Sequence, residues 1–68
     1  MTFEKALRRV LEGERVARPT FKDTFHVEVD DETIIAYWYN YPDEALKKKP
    51  FFLQTADVIA TDWVVVRK

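Results

Sequence analysis

The residues best suited to chemistry in this chain are flat rings beside a cation. Phe21, Tyr37, Trp38, Tyr39, Tyr41, Phe51, Phe52 and Trp63 offer aromatic faces, and nucleobases stack on such faces for about 1–3 kcal/mol each. Arg18 and Lys22 flank Phe21. Both can meet a phosphate, and the arginine fork suits bidentate contact. A cage of this kind would hold a small anionic nucleotide without the broad basic field that a polymer requires. The competing reading is that most of these rings are simply core. Phe21, close to Pro19 in a turn-like stretch, fits that reading least.

Catalytic chemistry is thinly represented. A nucleophile needs a base poised beside it. His26 is the only histidine, and the chain has no Cys and no Ser. Its place on the polar face of a strand reads as an exposed histidine. A metal site needs three or four converging ligands. Asp30, Asp31 and Glu32 are adjacent and read as a solvated turn. One glycine cannot build a Gly-rich phosphate loop. Carboxylates are plentiful, so two-acid hydrolysis stays open, but no spacing singles out a pair. The expectation is a binding protein, not an enzyme, with no metal and no cofactor.

Composition narrows the class further. Sixty-eight residues allow a single domain over 1–68. Eleven basic residues against twelve acidic ones leave a net charge of −1, without the basic footprint of a nucleic-acid polymer binder. With 47% hydrophobic and 15% aromatic residues, one Gly and three Pro, the chain is not a disordered tail. The absence of Cys excludes disulfides and thiolate metal sites. No apolar run approaches the roughly 18 residues of a membrane span. The opening MTFEKALRR is charged where a signal peptide would be apolar, so a cytoplasmic protein with no membrane contact is expected. A core below roughly 70–80 residues rarely supplies more than about 3–5 kcal/mol. Self-association into a dimer or tetramer is therefore expected.

The elements that must position these residues follow from periodicity. Phe3, Ala6, Leu7, Val10 and Leu11 form one stripe of an amphipathic helix over 2–12. Thr2 can cap it, and Gly13 can end it in the left-handed region. Residues 14–18 read as a short extended piece with Val16 inward. Residues 24–29 alternate, with Phe25, Val27 and Val29 on one face and Thr24, His26 and Glu28 on the other. After a polar turn at 30–32, residues 33–41 form a β-branched and aromatic strand. Neither face of it is polar, so both should be covered. Residues 42–50 read as a flexible connection whose lysines, Lys47–Lys49, form a solvated face. Residues 51–54 read as a short strand, 55–60 as one helical turn capped by Thr55 with Asp57 in its first turn, and 63–66 as a final strand. The fold class is α+β: one N-terminal helix packed on a four- to five-stranded antiparallel sheet.

Two stretches carry a more specific likeness. Phe3-Glu4-Lys5-Ala6-Leu7, then Leu11-Glu12-Gly13-Glu14-Arg15-Val16-Ala17-Arg18, then Phe21 resembles the start of the Thoeris anti-defence protein 2 family of phages. That opening has a phenylalanine, an Ala-Leu pair, a helix-ending glycine, a valine, an arginine two residues on and usually a tryptophan three further. Thr55-Ala56-Asp57-Val58-Ile59-Ala60-Thr61-Asp62-Trp63-Val64-Val65-Val66 resembles the family's end, where an aspartate, two apolar residues, an alanine and an Asp-Trp pair lead into the last strand. Together the two stretches cover about half the chain. The resemblance implies a small oligomeric sponge with a helix packed on an antiparallel sheet and ligand pockets at subunit contacts. Such a sponge binds immune nucleotide messengers, cyclic ADP-ribose isomers or cyclic dinucleotides, without cleaving them.

Residue by residue, the first stretch implies Arg18 as cation and Phe21 as stacking platform. The second implies Thr55 and Asp57 as polar groups at the mouth of a helical turn; the alternative for Asp57 is that it only caps that turn. Asp62 and Trp63 also match; Trp63 reads as core beneath the helix. Tyr39 is added from its two-sided strand alone. Phe21 stands where the family usually has Trp, and Lys22-Asp23-Thr24 replaces its Trp-Asn-Gly type of turn. Two other functions stay open: an inhibitor that docks on a host protein through an edge strand and the Tyr37–Tyr41 run, and a small hydrolase of the same messengers.

Overall fold

A computed structural model describes residues 1–67. The first helix, α1 (Phe3–Leu11), forms where the apolar stripe predicts it. The Thr2 hydroxyl accepts the Lys5 N–H at 3.4 Å, and Glu4 sits in the first turn, both suited to the positive helix end. Gly13 turns the chain out at φ 95°, a conformation open to a residue without Cβ. Ala6 and Val10 are buried. The buried stripe is narrower than the sequence pattern, because Leu11 is 65% exposed at the last turn.

Five strands form one sheet: β1 (Arg15–Ala17), β2 (Phe25–Asp30), β3 (Thr33–Trp38), β4 (Lys48–Pro50) and β5 (Val64–Val66). Their order is β4-β3-β2-β1-β5, and every pairing is antiparallel. The fold is α+β, as expected. Asp31 and Glu32 both take positive φ, 51° and 64°, in the two-residue turn between β2 and β3. Such a turn matches the right-handed twist of the strands it joins.

Residues opposite each other across a ladder share a face. The pairs Val16 with Val27, Val16 with Val65, Val27 with Ala36 and Phe25 with Trp38 therefore define the side on which α1 lies. Ala6, Val10, Val16, Val27 and Trp63 make the core. Trp63, expected beneath the helix, is 1% exposed. Its ring meets Phe3 at 5.6 Å and Phe21 at 5.7 Å. The Met1 ammonium donates to its carbonyl at 2.8 Å, and its N–H donates to the Met1 carbonyl at 3.1 Å.

Five expectations need correction. β3 ends at Trp38 rather than Tyr41, although the Tyr39 N–H still reaches the Thr24 carbonyl at 3.0 Å. The 42–50 connection is structured. A short helix, α2 (Glu44–Lys47), opens where the Asp43 carboxylate accepts the Ala45 N–H at 3.0 Å. The fourth strand is Lys48–Pro50, not 51–54. The lysines do not form one solvated face: Lys48 is exposed and pairs with Asp30 at 3.3 Å, whereas Lys47, at the end of α2, pairs with Glu44 at 3.5 Å and, like Lys49, is half-buried. A lysine-rich strand suits this position, since β4 is a sheet edge and charge there discourages further pairing. Finally, the last helix, α3 (Thr55–Ile59), is capped by Gln54 rather than Thr55. The Gln54 N–H donates to the Asp57 carboxylate at 3.2 Å.

Removing the Trp63 ring deletes the contacts that join α1, β5 and Phe21. Trp63→Ala should cost about 3–5 kcal/mol, which matches the whole stability of about 3–5 kcal/mol expected of a core this small. Far-UV circular dichroism should find that variant largely unfolded at 25 °C, while Leu11→Ala should keep the native spectrum.

Candidate ligand-binding groove

The side of the sheet under α1 carries a row of rings. Phe21 stacks on Phe25 with centroids 4.3 Å apart and planes 4° apart. Phe25 stacks on Trp38 at 4.4 Å and 26°. Trp63 meets Phe21 edge to face at one end. Tyr41 meets Trp38 edge to face at the other, at 6.5 Å. Phe21 enters the row through a tight turn: its N–H and that of Lys22 both reach the Arg18 carbonyl at 3.0 Å. The register of β2 and β3 places Phe25 and Trp38 opposite each other. A groove of about 270 Å³ lies over this row, walled also by Phe51, Phe52, Gln54 and Asp57. Phe52 stands at its rim, 80% exposed.

Four of the six expected site residues converge at the Phe21 end. Arg18 Nη1 bonds the Asp57 carboxylate at 3.0 Å, and its Nε bonds Asp62 at 2.9 Å. These carboxylates raise the Arg18 pKa, Asp62 most strongly, so the guanidinium is held charged. Arg18 and Asp57 are mostly buried, with side chains 19% and 14% exposed, whereas Asp62 is open to solvent. Asp57 thus does two jobs at once. It caps α3 through the Gln54 N–H and faces the groove. Thr55, in the first turn of α3, is exposed. Lys22 is also exposed and faces a different hollow, beside Asp23 and the β5 edge.

Tyr39 lies elsewhere. It belongs to the opposite face of the sheet, which no long helix covers. There Arg15, His26, Glu28, Tyr37, Tyr39, Glu44 and Lys48 surround a larger, more polar hollow of about 550 Å³. His26, expected to be exposed, is 2% exposed and buried among polar partners. Its cross-strand partner Tyr37 stacks on it at 5.2 Å and 17°, and its Nδ1 lies 2.7 Å from the Tyr39 hydroxyl. Its Nε2 bonds the Glu28 carboxylate. An ionised carboxylate only accepts, so the neutral ring carries its proton on Nε2 and accepts the tyrosine O–H at Nδ1. Aromatic neighbours thus close over a strand position that alternation alone marks as outward. Burial pushes the His26 pKa down, against the smaller upward pull of Glu28. Burial also raises the Tyr39 pKa. The Tyr37 pKa is raised chiefly by its hydrogen bond to Glu44, 2.7 Å long.

Sequence reasoning named Trp38 among the candidate stacking rings without choosing it as a site residue, and it missed Phe25 and Gln54 as groove residues. Phe25 stood on a strand face with Val27 and Val29, which reads as core. Only the register reveals that Phe25 and Trp38 stack in one line. Among the described residues, no group of three or more His, Cys, Asp or Glu would hold a metal ion, and no helix is long and apolar enough to cross a membrane.

One helix on a five-stranded antiparallel sheet, with an aromatic groove ending in an arginine–carboxylate cluster, defines a small α+β domain. Residues 1–66 match the Thoeris anti-defense 2-like domain. The chain therefore belongs to the Thoeris anti-defense 2-like family, an anti-defence family of the phage type. No curated protein and no solved structure gives a significant match.

The depressed His26 pKa has a sign. The unfolded histidine binds a proton below about pH 6.5, while the folded one resists it, so stability falls as pH drops through that value. Thermal melts should show a lower midpoint at pH 5 than at pH 7. His26→Gln should flatten that dependence.

Proposed function

We propose that this chain is a sponge for a nucleotide second messenger, a cyclic ADP-ribose isomer or a cyclic dinucleotide. It binds the messenger without cleaving it and keeps a host immune effector inactive in the cytoplasm of an infected bacterium. The observation that carries this reading is the groove along Phe21, Phe25 and Trp38 beside Asp57, in a chain of a Thoeris anti-defence family. Rings there suit a base. Carboxylate oxygens suit ribose hydroxyls and base amino groups as donors. Phe21, Arg18, Asp57 and Asp62 form the heart of the proposed site, with Thr55 near its rim. Tyr39, on the other face, would meet a ligand only there.

Binding without turnover fits the chemistry at hand. The one histidine is buried on the opposite face with both nitrogens engaged. Asp57 already serves Arg18 and the start of α3. We further infer that copies assemble as a dimer or tetramer, since Phe52, Val58 and Ile59 leave apolar surface uncovered near the groove.

Calorimetric titration with cyclic ADP-ribose isomers and cyclic dinucleotides tests the reading. Binding of at least one tighter than about 10 μM is expected, since a sponge must outcompete a receptor, and heating the complex should release that ligand intact. Binding of none overturns the proposal; turnover would select a hydrolase instead. A stoichiometric host protein in place of a nucleotide would select a docking inhibitor. Phe21→Ala should weaken the best ligand by about 1–3 kcal/mol. Its ring is half-buried against Phe25 and Trp63, so melting should also fall, by less than the about 3–5 kcal/mol of a fully buried ring.

A further inference from the structure

The guanidinium bonded to Asp57 at the groove's end is already matched. Arg18 faces two carboxylates, Asp57 and Asp62, so the Phe21 end carries one net negative charge. A phosphate placed there would have to displace a carboxylate from the guanidinium and then sit beside it. Hydrogen-bond donors suit that end better than an anion does.

The opposite end has the reverse character. Lys49 lies on β4 directly across from Ala36, a groove residue, so it shares the sheet face that carries the ring row. Its Nζ sits 5.9 Å from the centre of the Trp38 ring and 3.9 Å from that of Tyr41. It donates to the Tyr41 hydroxyl at 2.6 Å. The two neighbouring lysines have carboxylate partners, Glu44 for Lys47 and Asp30 for Lys48. Among the described residues Lys49 has none within ion-pair distance. Its half-buried stem and two rings hold the ammonium in place, yet the charge stays uncompensated and two of its three donors remain for another acceptor.

We propose that Lys49 is the phosphate-binding cation of the groove. The ligand then lies along the row with its phosphate at the Trp38–Tyr41 end and its hydroxyl or amino donors toward Asp57. This assignment rests on the sponge reading and adds a polarity to it. Among the described residues, those that wall the groove include no cation, so a charge for the phosphate has to come from a neighbour of the wall, and Lys49 stands over the Trp38 ring. Lys22, the other cation near Phe21, faces a separate hollow.

The test titrates wild type, Lys49→Met and Lys49→Arg with three probes: cyclic ADP-ribose, cyclic di-GMP and the phosphate-free nucleoside adenosine. Lys49→Met should weaken the better phosphate-bearing probe by about tenfold or more and flatten its dependence on NaCl. Adenosine binding should not change. Lys49→Arg should stay within about threefold of wild type, because it keeps the charge. A second measurement needs no variant: reductive methylation of wild type, read by mass spectrometry, should find Lys49 shielded by the phosphate-bearing probe and Lys22 not. Wild type that binds none of these probes is titrated with the other cyclic ADP-ribose isomers and cyclic dinucleotides, the best binder replacing the phosphate-bearing probe, and binding of none of them overturns the sponge reading and this one with it. Wild type that binds while Lys49→Met stays within about twofold of it, or shielding of Lys22 in place of Lys49, overturns the Lys49 assignment alone.

Discussion

Trp63 stands where the separate parts of this chain meet. Its backbone bonds the first residue in both directions, which ties the start of the chain to the entry of β5. Its ring packs against Phe3 of α1 and the edge of Phe21. Its indole N–H donates to the Asp57 carbonyl at 2.9 Å, so a buried donor is satisfied by the same residue whose side chain faces the groove. A core of five buried side chains depends heavily on one ring of this size. The position of Asp57, and hence of α3, follows from it.

Electrostatics then divides the groove. Arg18 draws together residues from three separated stretches, because a guanidinium can meet two carboxylates at once through its fork. Asp57 and Asp62 lie 39 and 44 residues along the chain from it. Their convergence gives α3 and the 60–63 loop a fixed seat against the turn that carries Phe21. It also gives the cation marked by the sequence a structural role. The charge left over lies at the far end of the ring row, on Lys49, in a stretch that reads as a loop.

The sheet's two faces solve the same problem differently. Under α1 the apolar residues of β1, β2 and β5 are covered by a helix. On the other face the strands cover themselves: Tyr37 and Tyr39 fold over His26, and Glu28 and the Tyr39 hydroxyl satisfy both ring nitrogens. A buried imidazole with two partners costs little, whereas an unpartnered one would be expensive. No side-chain polar atom buried among the described residues lacks a hydrogen-bond partner.

Local rules were enough for α1, for its Thr2 and Gly13 signals, for the β2–β3 hairpin and for the α+β class, because each depends on periodicity or on a turn within a few residues. Burial of Trp63 beneath the helix was legible too, since a large ring before a run of three valines needs a core. The terminal stretches pointed to Arg18, Phe21, Asp57 and Asp62, and these do lie together. Other features depended on partners distant in sequence. A Lys-Lys-Pro stretch becomes a strand only beside Ile35–Tyr37. An alternating histidine is buried only because Tyr37 lies across from it and Tyr39 reaches over from two residues further on. Phe25 and Trp38 become groove walls only through a register that pairs them. Spacing reports which face a side chain takes; what stands on that face, and whether a charge there is already matched, is settled by the approach of segments that the chain order keeps apart.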